Sequence, residues 1–223
     1  RASAQVFTQL FKSIVPLTLF NGSLVIDPET NEKLLSLQLE SSTVSQLIQI
    51  TRETPLRLHL YAENQVFLDM EDAPLYKKID PVAYRLCKPI GDMIKTSTPI
   101  IKAMITGNKT ETLGKQLLQD LAEQYPNTFY AVSSFKNHIE IMHPGSNKMN
   151  GLHFIVRNHG IPLSSMLAFG DADNDCEMIK SVGWGVAMGN GSETLKAVAD
   201  DVTDDNDHDG IGNYLFRLFN LSS

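Results

Sequence analysis

The stretch MLAFGDADNDCEMIKSVGWGVAMGN, Met166 to Asn190, decides how the rest of the chain is read. Met166 to Phe169 is a short apolar run that stops at Gly170-Asp171, the pattern of a buried strand. Asp173, Asn174 and Asp175 follow, and then apolar residues at helical spacing, Met178, Ile179 and Val182. Acidic groups at the carboxyl end of a strand, just ahead of a helix, stand where open α/β sheets bind their ligands. Three aspartates in five residues repel one another unless a cation, or hydrogen bonding to water, relieves them. A solvated acidic turn in which Asp173 or Asn174 caps the helix is the plainer alternative.

The residues that follow narrow the choice. Trp184 to Met188 reads as a second buried strand, closed by Gly189-Asn190-Gly191. Ser192 then caps a helix through Leu195, Val198 and Ala199, and Asp200-Asp201-Val202-Thr203 leads to an acidic loop ending at Asp209-Gly210. This succession of strand, GDxxND, helix, GVAMGN, helix, AD, VT and DG resembles the carboxyl-terminal half of the haloacid dehalogenase superfamily core, in its Cof-like branch of phosphatases. Several segments agree in order and spacing. The resemblance implies a Rossmann-like, doubly wound α/β core with a large inserted α+β cap. It further implies a magnesium-dependent phosphatase acting on phosphate monoesters of small metabolites through an aspartyl-phosphate.

Upstream, Arg1 to Ser13 reads as an amphipathic helix and Pro16 to Phe20 as a short strand before the turn Asn21-Gly22. Ser23–Ile26 and Leu34–Leu39 form an expected hairpin. Ser42-Thr43 opens a helix with Val44, Leu47, Ile48 and Thr51 inward. Leu56–Tyr61 and Gln65–Met70 alternate as two antiparallel strands. Asp72 to Thr98, with Pro74, Pro81 and Pro89, reads as loop with short helices. Pro99–Ile105 is an expected strand, and Glu111–Gln124 a helix with Leu113, Leu117, Leu118 and Leu121 on one face. Phe129–Ser134 and His138–His143 pair across Phe135-Lys136-Asn137. Lys148–His159 is a helix with Met149, Leu152, Ile155 and Val156 inward.

The pattern is antiparallel in the middle and strand-helix-strand from Ser164 onward, so the helices of the middle part are expected on one face of a sheet. The expected division is therefore residues 1–21 and 144–223 as core, with 22–143 as the inserted cap. The resemblance agrees, since Cof-like enzymes insert their cap just after an Asn-Gly turn, here Asn21-Gly22.

A phosphoryl-transfer site needs a nucleophile, a cation to offset phosphate charge and a positive side chain on the phosphoryl oxygens. Asp171 and Asp175 are candidate magnesium ligands, directly or through water. Asn174 is a candidate phosphate donor, or orients a carboxylate. Asp173 has no role beyond capping or solvation. Lys148 alone reads as a solvated surface group. The resemblance assigns it more, because the Cof-like pattern places a lysine, here in Asn147-Lys148, where it contacts phosphate and pairs with the nucleophile. His138, His143, His153 and His159 lack ligand spacing for a metal.

The family's nucleophile and acid/base aspartates sit in a DxD motif on the first core strand, followed by a threonine or serine on the next. No apolar strand before Asn21 carries a DxD, and Arg1 resembles the position just inside that second motif. The expectation is that a further segment of about forty to fifty residues completes the enzyme, and that the 223 residues alone are inactive. Its two strands would fill about ten ångströms of sheet. The rival from another class is an inactive, binding or regulatory protein of the same fold.

A net charge of −7 over 223 residues, with no basic stripe, argues against nucleic acid as a partner. No apolar run is long enough to span a bilayer, so no membrane partner is expected. Cys87 and Cys176 lie far apart and outside any metal pattern, which suits a reducing, cytoplasmic setting. The expected partner is a small phosphorylated metabolite.

Overall fold

The structure is a computed structural model that describes residues 16–79, 81–107, 110–135 and 138–220. The helix expected over Arg1 to Ser13, and Lys136-Asn137 of the expected hairpin turn, lie outside the described residues. The chain divides into two compact units, Arg1–Asn147 and Lys148–Ser223.

In the first unit, β1 (Leu17–Leu19), β2 (Leu24–Ile26) and β3 (Lys33–Ser36) form an antiparallel three-stranded sheet in that order. The hairpin β2–β3 matches the expected one but ends at Ser36. Asp27 folds its connection, its Oδ1 accepting from the backbone N–H of Glu29 and Thr30 at 2.9 and 2.8 Å. The strand expected to open the core, β1, pairs antiparallel with β2 from Leu17↔Ile26 to Leu19↔Leu24.

The helix α1 (Ser41–Arg52) buries Thr43, Val44, Leu47, Ile48 and Thr51, because those positions recur on one helical face. The larger sheet contains β4 (Arg57–Tyr61) and β5 (Val66–Leu68), followed by the helices α2 (Ala73–Ile79) and α3 (Pro81–Tyr84). It continues with β6 (Cys87–Pro89), the helix α4 (Ile90–Thr96) and β7 (Lys102–Thr106). The helix α5 (Lys115–Gln124), β8 (Tyr130–Phe135) and β9 (His138–Met142) complete it. The strand order is β6-β5-β4-β7-β9-β8.

Alternation decides the faces of this sheet. Leu58, Leu60, Phe67, Ala103, Ile105, Ile139 and Ile141 share one buried cluster with residues of α1, α4 and α5. Most of the expected helix-on-one-face arrangement is therefore present, but α2 contributes Ala73 to a second cluster with Val66 and Leu68.

Two readings are corrected. The segment read as loop contains β6, which pairs parallel with β5. A three-residue strand ending in proline has no periodic signal of its own, and its partner lies across the crossover of α2 and α3. The helix expected from Glu111 begins as a π-helical turn, Thr110–Gly114, and becomes α-helical only at Lys115. The wider turn rotates Leu113 off the inward stripe. It is 40 % exposed, whereas Leu121 is buried.

The second unit is a parallel sheet in the order β10 (Leu167–Gly170), β11 (Trp184–Ala187) and β12 (Asp201–Val202). Leu167 pairs with Trp184 and Gly170 with Ala187. The helices are α6 (Met149–His159), α7 (Cys176–Ser181), α8 (Glu193–Lys196) and α9 (Gly210–Leu218). Ile179, Ala187 and Leu195 form the buried centre, with Ala168, Cys176, Met178 and Ala199 against it. The expected elements appear in order here, α8 is one turn long, and β12 and α9 come in addition to them.

Candidate active site

The loop between β10 and α7 carries the acidic residues because the apolar run feeds a strand, half-buried rather than buried as expected, that ends where Asp171 enters solvent. Asp171 is exposed and Asp175 is almost fully buried. One 3₁₀ turn, Asp173–Asp175, separates them and leads directly into α7.

A buried carboxylate requires compensating charge and donors. Asp175 has both. The Lys148 ammonium, at the start of α6, forms an ion pair with Asp175 Oδ1. Asp175 Oδ2 accepts from the backbone N–H of Asp171 at 3.0 Å and of Ala172 at 3.2 Å. Gly170 is required by this packing, since a Cβ there would stand 2.6 Å from Asp175 Cβ. The glycine that ends β10 is thus the space into which Asp175 folds back.

Asp173 is held as well. Ser192 Oγ donates to Asp173 Oδ1 at 2.5 Å and accepts from Leu195 N–H at 3.2 Å, which caps α8. Ser192 N–H also donates to the Asp171 carbonyl at 3.2 Å. The Gly189–Ser192 turn after β11 is therefore fastened to the acidic loop after β10. Sequence reading missed this role. The signal was the Ser192 cap itself, whose hydroxyl has a second lone pair and a proton to spend.

Asn174 stands between the two metal candidates. Its Oδ1 is buried and without a hydrogen-bond partner among the described residues. Farther along, Asp205 Oδ1 and His208 Nδ1 are 2.5 Å apart. The hydrogen bond holds Asp205 below the usual carboxylate range and His208 above the usual imidazole value.

The second unit thus brings Lys148, Asp171, Asn174 and Asp175 to the carboxyl end of one strand. Oxygen donors of this kind suit magnesium, which takes one or two carboxylates and keeps waters for the rest of its shell. Asp171 and Asp175 would supply those two. Among the described residues no cluster of three or more histidine, cysteine, aspartate or glutamate side chains forms an all-protein metal cage. The arrangement can hold a cation against an anionic ligand while Lys148 adds a positive side chain to the same place.

Comparison with known proteins places this geometry in context. Residues 1–215 match the family model of haloacid dehalogenase-like hydrolases. The chain is 28 % identical over 225 residues to the 5-amino-6-(5-phospho-D-ribitylamino)uracil phosphatase YitU of Bacillus subtilis, covering 98 % of this chain and 82 % of that protein. A crystal structure of a haloacid dehalogenase-like hydrolase from Bacteroides thetaiotaomicron is similar at a TM-score of 0.76 and 27 % identity. The match covers 90 % of this chain and 75 % of that one. A sugar phosphatase of subclass IIB shares the fold at a TM-score of 0.76 and 20 % identity, covering 99 % of this chain and 83 % of that one. Among the described residues no helix is long and apolar enough to cross a membrane.

Proposed function

Because the chain belongs to the haloacid dehalogenase-like hydrolases, we propose that it is the metal- and phosphate-holding part of a phosphatase for monoesters of small, hydroxyl-rich metabolites. The Bacillus subtilis relative, a phosphatase of a ribityl-bearing phosphate ester, supports that substrate class. The observation that carries the reading is the Lys148–Asp175 ion pair beside Asp171 at the end of β10.

In this reading Asp171 and Asp175 hold magnesium, which when bound offsets the charge of the phosphoryl oxygens. Lys148 has a partly exposed side chain and an ammonium with three donors. It keeps one donor on Asp175 and offers others to the phosphoryl group. The Asn174 amide would donate to the same group, and its Oδ1, buried and without a hydrogen-bond partner among the described residues, leaves it an acceptor to spare. Residues 22–143 act as the cap that selects the leaving group. In this reading attack on phosphorus and the proton transfers fall to the aspartates of the family's DxD strand. This chain's own part is to bind, neutralise and orient.

The test compares residues 1–223 alone with the same residues preceded by a segment bearing the family's DxD strand, using p-nitrophenyl phosphate and magnesium. Turnover is expected only in the completed form. In that form Asp171→Asn and Lys148→Ala should each lower kcat/KM by about 100-fold or more. Asp171→Asn should also raise the magnesium concentration needed for half-activity. Near-normal turnover in Lys148→Ala would remove that residue from the site, and turnover by residues 1–223 alone would mean that the nucleophile lies among them.

A further inference from the structure

A groove of about 690 Å³ lies within the first unit, along α1. Such a volume falls inside the range of about 300–1,000 Å³ usual for small-molecule sites. None of the residues that line it is Lys148, Asp171, Asn174 or Asp175.

One helical stripe forms its long wall: Ser41, Val44, Ser45, Ile48, Gln49 and Arg52, at positions i, i+3, i+4, i+7, i+8 and i+11. At 1.5 Å per residue the stripe is about 16 Å long. The floor is apolar, with Leu39, Val44, Ile48, Met93 and Ile100 all buried. The opposite wall is the end of α4, where Ile94 stands 54 % exposed. Ser97 closes α4 in a left-handed conformation, φ 49°, that a non-glycine residue adopts only at a cost. That turn carries the chain away toward Pro99.

Charge identifies the occupant. Arg52 is the one cation lining the groove, and it has no acidic partner among the described residues. Glu53, also in the lining, is likewise unpaired and repels any anion, a dianion about twice as strongly as a monoanion. The remaining polar rim is neutral, made of amides and hydroxyls. A phosphate dianion needs several donors and meets Glu53, whereas a single carboxylate is satisfied by one guanidinium. An apolar body of the groove's length fits the floor.

We infer that the groove along α1 is a second ligand site, separate from the phosphatase residues, for an elongated apolar monocarboxylate whose carboxylate meets Arg52. The 223-residue protein would be titrated with 8-anilinonaphthalene-1-sulfonate, an apolar aromatic monoanion, followed by its fluorescence, and the dye then displaced with dodecanoate. One saturable site is expected, emptied by dodecanoate and not by inorganic phosphate. Arg52→Gln should weaken dodecanoate about tenfold, the effect of one charge-assisted contact, while leaving dodecanol unaffected. Ser45→Trp, which places an indole in the groove, should abolish the site without shifting the melting temperature. Gln49→Trp repeats the block one turn along should Ser45→Trp fold poorly. Undiminished binding in a folded tryptophan variant, or no saturable binding, would overturn the site. Equal dodecanoate affinity in Arg52→Gln would overturn the carboxylate assignment.

Discussion

Each oxygen of the Asp175 carboxylate has its own partners: the Lys148 ammonium on Oδ1, and the N–H groups of Asp171 and Ala172 on Oδ2. The carboxylate keeps this position only because Gly170 leaves room for it. Gly170→Ala should therefore push Asp175 outward and break the two backbone bonds. Overpacking of this kind costs about 1–3 kcal/mol, which a thermal melt would show as a lower midpoint. The completed enzyme should also need more magnesium for half-activity. An unchanged magnesium requirement would mean that Asp175 serves the fold and not the ion. Ser192, by contrast, fastens two loops through the Asp173 carboxylate and the Asp171 backbone carbonyl and bonds neither candidate metal-binding carboxylate, so its loss should loosen the site without emptying it.

At the scale of elements, β4 presents an unusual pair of faces. Leu58 and Leu60 enter the main core, while His59 and Tyr61 point to the other side. There Tyr76 bridges them, hydrogen-bonded to Tyr61 and 2.9 Å from His59 Nδ1. His59 Nε2 lies 3.7 Å from Asp72 Oδ2, and Asp72 is already paired with Arg57. Burial holds His59 down to about 4 from its ordinary 6.5, with the positive fields of His138 and Arg57 adding to it. Below 6.5 the unfolded chain takes up a proton that the folded chain refuses until about 4. Stability should therefore be complete above pH 6.5 and fall as the pH drops through that window, by about 3 kcal/mol at most. Denaturant midpoints measured between pH 4 and pH 7 would check this, with His59→Gln flattening the slope. The helix α5 gives a second prediction. Leu121→Ala should cost about 2–5 kcal/mol as a core truncation, and Leu113→Ala less than about 0.5 kcal/mol as an exposed change. Equal losses would restore Leu113 to the inward stripe.

At the scale of the whole molecule, the first unit ends at Asn147, and its last residues lie against its early ones. Ser23 Oγ donates to Ser146 Oγ at 2.7 Å in a buried pair. A Cβ on Gly22 would fall on the carbonyl oxygen of Asn147, and its φ of +86° already disfavours other residues. The two ends of the stretch proposed as a cap thus run side by side, one residue before Lys148. Gly22→Val should shift Asn147, and with it the lysine that follows. Turnover by the completed enzyme should drop sharply while far-UV circular dichroism stays unchanged. Full activity would show that Lys148 is placed by α6 alone.

The amino-acid sequence by itself determined the local elements whose partners are near in sequence and whose pattern is strong. The hairpins β2–β3 and β8–β9, the inward face of α1, and the parallel strands β10 and β11 were all legible, because alternation and helical spacing encode burial directly. The clustering of Asp171, Asn174 and Asp175 was legible for the same reason, since five residues cannot separate. The family was legible from the order of its segments. Tertiary structure alone decided the rest. The parallel pairing of β6 and the outward turn of Leu113 depend on neighbours remote in sequence or on one widened helical turn. The pairing of Lys148 with Asp175 joins residues 27 positions apart, which the family pattern could suggest but no spacing rule could supply. Asp173 reads as a solvated cap until the chain returns after β11 and lays the Ser192 hydroxyl upon it. A carboxylate's role depends on which donor arrives beside it, and that is decided only when distant segments pack.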